Sequence, residues 1–161
     1  MKNSSKAAAT AAVIAIACTI VKPWEGLWLT AKVDKIGTGR PVTACYGETE
    51  GVKLGQKFTK EQCDEMLAKK LPRYAAEIAP CIKVPISDKT RAAFISFSYN
   101  VGSAGFCRSS LLKKLNSGDY KGACNGLLAW NRAGGKFVQG LANRRASERR
   151  LCIEGLADVK R

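Results

Sequence analysis

A chain of 161 residues fits one globular domain, and an apolar content of 46% is enough to build a core. Its 27 Lys and Arg against 13 Asp and Glu give a net charge of +14, and it has no histidine. That excludes Ser-His-Asp and Cys-His nucleophilic triads, histidine bases and histidine metal ligands, so an enzyme made from this chain draws its acid most simply from a carboxyl.

Residues 7–21 read AAATAAVIAIACTIV, without charge, with Lys2 and Lys6 before them and Lys22 after. The run is shorter than the roughly 20 residues that span a bilayer. Rich in Ala and Thr and without Leu, it would hold a membrane weakly. Three readings fit: a secretory signal cut after Ala15-Ile16-Ala17 and before Cys18, a buried helix of a soluble domain, or an uncleaved anchor weak enough to leave the membrane.

Pro23 then favours a helix start, with Trp24, Leu27 and Trp28 at helical spacing. Residues 34–52 are rich in glycine, with a β-favouring stretch at Val42–Tyr46, and predict a small hairpin or three-stranded element. Thr59-Lys60-Glu61-Gln62 is a capping box opening a helix to about Ala79, with a kink expected at Pro72 and a stop at Pro80. Ser87-Asp88 opens a helix over 89–99 that ends at Asn100-Val101-Gly102. Further helices are expected over 107–116, 120–130 and 141–154, stopped by Asn116-Ser117-Gly118, Gly134-Gly135 and Gly155. The class is α+β, mostly helical with one small β lobe.

Six cysteines lie in the body: Cys45, Cys63, Cys81, Cys107, Cys124 and Cys152. No CxxC occurs, which argues against a zinc or thioredoxin-like site and for three disulfides made in an oxidising compartment. The residues alone do not choose the pairing; short closures in chain order suggest Cys45–Cys63, Cys81–Cys107 and Cys124–Cys152.

Most carboxylates have a structural explanation. Glu61, Asp64 and Glu65 suit the first turns of a helix, Asp88 a cap, and Asp119 a turn. Glu48 and Glu50 flank Thr49 in a turn, and Glu77, Glu148, Glu154 and Asp158 read as helix-surface charges. Glu25 and Asp34 differ. Glu25 lies among Trp24, Leu27 and Trp28, on a segment expected to bury much of its surface, and apolar neighbours favour a protonated carboxyl. Asp34 stands at the more solvated entry to the glycine-rich hairpin. One protonated and one ionised carboxyl across a cleft would suit glycoside hydrolysis. A helix-start Glu and a turn Asp remain the simpler reading of two acids nine residues apart.

Together with Thr43-Ala44-Cys45-Tyr46-Gly47-Glu48-Thr49, this spacing resembles the catalytic front of phage endolysins of the lysozyme type, glycoside hydrolase family 24. Thr59-Lys60-Glu61-Gln62-Cys63, FISFSYNVG at 94–102, SSLLKKLNSGDY at 109–120, AWNRAGG at 129–135 and the NRR..ER pattern at 143–149 resemble the same family, over nearly all of residues 23–155. The resemblance implies a lysozyme-like fold whose hairpin lobe forms one side of a cleft. It implies Glu25 as general acid, with Asp34 and Thr43 holding the attacking water. Its implied substrate is the β-1,4 bond between N-acetylmuramic acid and N-acetylglucosamine in peptidoglycan, cleaved to lyse the host without a cofactor or metal. The turn from Asp34 to Thr43 is longer here than is usual in the family and contains Thr38 as an alternative to Thr43, and Glu48 stands where a His is common. The family pattern also hints that Arg144 or Arg145 orients Glu25.

With that resemblance, the apolar run reads as a signal-anchor-release segment. Residues 1–22 would be the releasable anchor, with 7–21 in the host bacterial inner membrane and the N-terminus inside. Residues 23–161 would be the catalytic body, a monomer in the periplasm. Leaving the membrane would expose the Cys18 thiol, which could attack a body disulfide. The basic pairs Arg144-Arg145, Arg149-Arg150 and Lys113-Lys114 suit wall carboxylates or lipopolysaccharide phosphates, and no nucleic-acid motif is present. Two other functions compete: a lytic transglycosylase using Glu25 alone, and a non-catalytic cationic wall-binding or antimicrobial protein.

Overall fold

The computed structural model describes residues 11–36 and 39–159. Residues 7–10 of the apolar run, Lys2, Lys6 and Thr38 lie outside the described residues. The chain forms α1 (Ala11–Glu25), β1 (Trp28–Val33), β2 (Val42–Cys45), α2 (Lys60–Ile78), α3 (Asp88–Val101), α4 (Ser103–Cys107), α5 (Ser110–Asn116), α6 (Tyr120–Gly126), β3 (Arg132–Ala133), β4 (Lys136–Phe137) and α7 (Gln139–Leu156).

The core is built around α3. Its sequence is apolar on most sides, and Ala92, Ala93, Phe94, Ile95 and Phe97 are fully buried. Such a helix must be surrounded, and α1, α2 and α7 pack against it. From α1 come Val13, Ile14, Ala17, Cys18, Ile20 and Val21, all buried, while Ala11, Ala12, Ala15 and Thr19 face outward. Most of the apolar run is thus a packed helix of the body here. No helix among the described residues is long and apolar enough to cross a membrane.

Pro23 does not start a helix; it sits inside the last turn of α1. Gly26, in the left-handed conformation at φ +67°, ends the helix three residues later. The expected helical spacing of Trp24, Leu27 and Trp28 is therefore broken. Trp28 begins β1, and Leu27 and Trp28 are exposed rather than buried.

The β lobe follows the glycine-rich sequence. β1 and β2 pair antiparallel, with Lys32 opposite Thr43 and Val33 opposite Val42. Residues 55–58 run along the other edge of β1, where Ala31 N–H donates to Gln56 O at 2.8 Å and Phe58 N–H to Leu29 O at 2.8 Å. The capping box at Thr59 and Gln62 starts α2, and Pro72 lies within it. Several helix boundaries differ from expectation: α6 stops at Gly126 and gives way to a single tighter turn, and α7 runs from Gln139 to Leu156 rather than over 141–154. The stretch 107–116 splits, because Ser109 caps α5 by accepting from Leu112 N–H. The N-cap of α3 is Ser87, with Asp88 in its first turn. Gly134-Gly135 is the turn of a second hairpin, β3–β4, rather than a simple helix stop.

Three disulfides join Cys45 to Cys63, Cys81 to Cys107, and Cys124 to Cys152. The first ties the β lobe to α2 and the last ties α6 to α7. Cys18 is free and buried, and burial pushes its thiol up, against the pull of Lys22. A thiol held protonated is a poor nucleophile.

One polar latch holds α1 to α2. Asp64 accepts from Lys60 at 2.7 Å and lies 3.0 Å from Lys22 on α1, while the Tyr46 hydroxyl donates to it at 2.8 Å. The hydrogen bonds from Lys60 and then Lys22 hold the Asp64 carboxyl well below the usual carboxylate range. A depressed carboxyl stabilises the fold above its unfolded value near 4 and loses that contribution as pH falls below it. Asp64→Asn should cost about 1 kcal/mol at neutral pH and flatten the acid side of the stability curve. Urea unfolding from pH 3 to 7 tests this; an unchanged acid slope would mean that another carboxylate carries it.

Candidate active site

Glu25 is the last residue of α1, so packing of that helix decides where its carboxyl points. The side chain is 20% exposed, and Oε1 accepts from Arg144 NH1 of α7 at 2.6 Å. The second oxygen faces the hairpin turn: a Cβ on Gly47 would lie 3.6 Å from Oε2. Gly47 has φ +84°, and its missing side chain lets the turn approach the acid. That turn is held from behind, because the Tyr99 hydroxyl on α3 donates to Tyr46 O at 2.6 Å. Burial, and then the charge of Glu25, push the Tyr99 hydroxyl far up, so it remains a donor.

The apolar enclosure expected for Glu25 is absent. Leu27 and Trp28 are exposed, and the carboxyl meets a guanidinium. The free energy of desolvation falls instead on the network behind it. Arg144 NH2 donates to Ser96 O at 3.2 Å and Nε to Glu148 Oε1 at 3.2 Å. Ser96 Oγ and Arg145 NH2 donate to the same Glu148 oxygen at 2.7 and 3.0 Å. Arg145 Nε lies 2.7 Å from Glu148 Oε2, but off the hydrogen-bond axis, so the contact is ionic. Arg144, Arg145 and Glu148 are all buried. Burial pushes the Glu148 carboxyl up, opposed by Arg145, Arg144 and the Ser96 hydroxyl, and burial lowers the Arg145 guanidinium.

Reading Glu148 as a surface charge is therefore wrong, and Arg144-Arg145 is not part of a basic surface patch. The only sequence signal was the spacing: Glu148 follows Arg144 by four residues and Arg145 by three, so all three share one helix side. Of the two arginines expected to orient Glu25, Arg144 contacts it and Arg145 contacts Glu148.

Asp34 lies just beyond β1, half-buried. Its N–H donates to Pro41 O at 2.8 Å, and its Oδ1 accepts from Ile36 N–H at 2.9 Å. Thr43 is buried on β2 opposite Lys32. Antiparallel register therefore puts Asp34, Lys32 and Thr43 on one face of the hairpin. Glu48 binds Lys70 at 3.0 Å and accepts from Thr49 and Glu50 N–H groups at 2.8 and 2.9 Å. Burial would raise its carboxyl, but the Glu50 N–H and Lys70 outweigh that and hold it low. It shapes the turn and faces Lys70.

A helical body, a small hairpin lobe and a carboxyl between them, held by an arginine, define a lysozyme-like glycoside hydrolase. The family model for phage lysozyme matches residues 22–148, and the chain belongs to the phage lysozyme family. Over 162 aligned residues it is 40% identical to the SAR-endolysin of Bacteriophage PS119, covering 96% of this chain and 95% of the relative. It is 46% identical over 114 residues to the SAR-endolysin of Enterobacteria phage P21, covering 70% and 69%. Its fold matches the muramidase domain of SpmX from Asticaccaulis excentricus with a TM-score of 0.78 at 25% identity, over 85% of this chain and 94% of that one. A crystal structure of a P22 lysozyme mutant matches with a TM-score of 0.76 at 31% identity, again over 85% and 94%. The protein is a peptidoglycan-hydrolysing phage endolysin.

Proposed function

We propose that the endolysin cleaves the β-1,4 bond between N-acetylmuramic acid and N-acetylglucosamine with inversion, using Glu25, Asp34 and Thr43. The observation that carries this reading is the fixed Glu25 carboxyl: Oε1 is taken by Arg144, and Oε2 is left facing the hairpin. Glu25 protonates the leaving oxygen from the helical side. Asp34 accepts a proton from water on the opposite face of the sugar, and the Thr43 hydroxyl orients that water. Inversion needs room for the water, with carboxyls about 6.5–9.5 Å apart.

Residues 1–22 act as a releasable anchor and residues 23–161 as the catalytic body. While residues 7–21 lie in the host inner membrane, with the N-terminus inside, Glu25 is held at the bilayer surface. On release to the periplasm, the run docks and brings Glu25 opposite the hairpin of a monomeric enzyme. The inward face of α1 and its weak hydrophobicity support this reading.

Mass spectrometry of purified peptidoglycan after digestion tests the reaction. Hydrolysis gives fragments with reducing N-acetylmuramic acid ends. Fragments one water lighter, with 1,6-anhydro ends, would mark a transglycosylase, and uncleaved wall would mark a binding protein.

A further inference from the structure

The buried half of the Glu25 network has no assigned part in the reaction. Arg144 could neutralise Glu25 without Glu148, yet a third charge, fully buried, is placed behind it. Burying a carboxylate and two guanidiniums is costly, and packing alone would be better served by apolar side chains. The arrangement also spends every face of Arg144: Nε on Glu148, NH2 on Ser96 O, and NH1 on Glu25. Glu148 then offsets one of the two cations that stand behind Glu25.

We infer that Glu148 is a positioning residue for catalysis: it aims Arg144 at Glu25 and offsets part of the guanidinium charge that the Glu25 carboxyl meets. This rests on Glu25 being the acid. The groups facing Glu25 are Arg144 from α7, the Tyr99 hydroxyl from α3 across Gly47, and, one turn back on α1, Lys22, which is engaged by Asp64 of α2. Those facing Glu148 are Arg144 and Arg145 on its own helix and Ser96 from α3; Arg145 also lies over the Phe97 ring at 4.9 Å. Glu48 is turned to Lys70. Without Glu148, Arg144 turns its full charge on Glu25 with Arg145 uncompensated behind it, and the ionised form of Glu25 is favoured. The acid form is then lost at lower pH.

The test is the pH profile of kcat/KM on purified peptidoglycan. Glu148→Gln should move the basic limb down by about one pH unit, a roughly tenfold loss along that limb, with little change in KM. Removing a cation as well, in Glu148→Gln with Arg145→Met, should move the limb back toward wild type, although the double variant departs further from the native packing. A purely structural role predicts the reverse order, with activity tracking the folded fraction and the limb unmoved. If Glu148→Gln does not fold, Glu148→Asp keeps every charge and draws the carboxylate back from Arg144 by one methylene. It should move the limb the same way by about a third of a unit. An unmoved limb in the folded variants overturns the inference while leaving Glu25 in place. An active Glu25→Gln would instead overturn the assignment on which it rests.

Discussion

Glu25→Gln is expected to abolish wall hydrolysis while leaving the fold intact. General acid catalysis contributes about 10²–10⁴ in rate, and the proposed reaction has no second donor for the leaving oxygen. The substitution is isosteric. Its amide oxygen can still accept from Arg144 NH1, which also remains bound to Glu148 and Ser96. The stability loss should be about 1 kcal/mol, the scale of one charged hydrogen bond at a partly exposed position. Turbidity clearing with purified cell walls, beside thermal unfolding, separates the two effects. Near-normal clearing by a folded Glu25→Gln would move the acid elsewhere. Loss of both clearing and folding would mean that Glu25 holds α1 in place rather than donating a proton.

Leucine on the outward face of α1 should have the second large effect, in the opposite setting. Ala12, Ala15 and Thr19 are exposed in the docked helix, so Ala12→Leu, Ala15→Leu and Thr19→Leu add apolar surface without entering the core. Each favours membrane insertion by roughly 0.5 kcal/mol or more. The triple variant should stay in the membrane fraction and delay lysis strongly, yet clear purified walls normally once extracted. Ala17→Leu is a useful contrast. Ala17 is fully buried, so a larger side chain there should overpack the docked state and reduce the extracted enzyme's activity as well. Lysis on the normal schedule by the triple variant, or a mature protein that begins at Cys18, would rule out release as the switch.

The parts of this molecule that could be read from sequence are those decided locally. Thr59 and Gln62 form a capping box from four consecutive side chains, and the glycine-rich stretch around Val42 makes a hairpin because its turns demand glycine. The cysteines close short loops in chain order. What could not be read is decided by distant partners. By composition alone the apolar run reads as a membrane segment, whereas its residues 11–21 form a core helix in the company of α3 and α7. Helical spacing from Pro23 through Trp28 failed because Gly26 breaks the helix, leaving Glu25 at its end. Glu148 looked solvent-facing because a charge amid basic residues usually is. Only Ser96, some fifty positions earlier, and the two arginines beside it make its burial possible. The same long-range placement is what turns Glu25 toward the hairpin, through the Arg144 of the NRR..ER pattern.

The proposed mechanism is tested most directly by the anomeric configuration of the first product. Proton NMR of a soluble peptidoglycan oligosaccharide, recorded within the first turnovers and before mutarotation, distinguishes the anomers. Water activated by Asp34 on the face opposite Glu25 predicts the α-anomer at the new reducing end, and Asp34→Asn should slow its appearance without changing its identity. Initial release of the β-anomer would contradict the account, because it requires a covalent or ion-paired intermediate on a carboxylate rather than direct attack by a water held between Asp34 and Thr43.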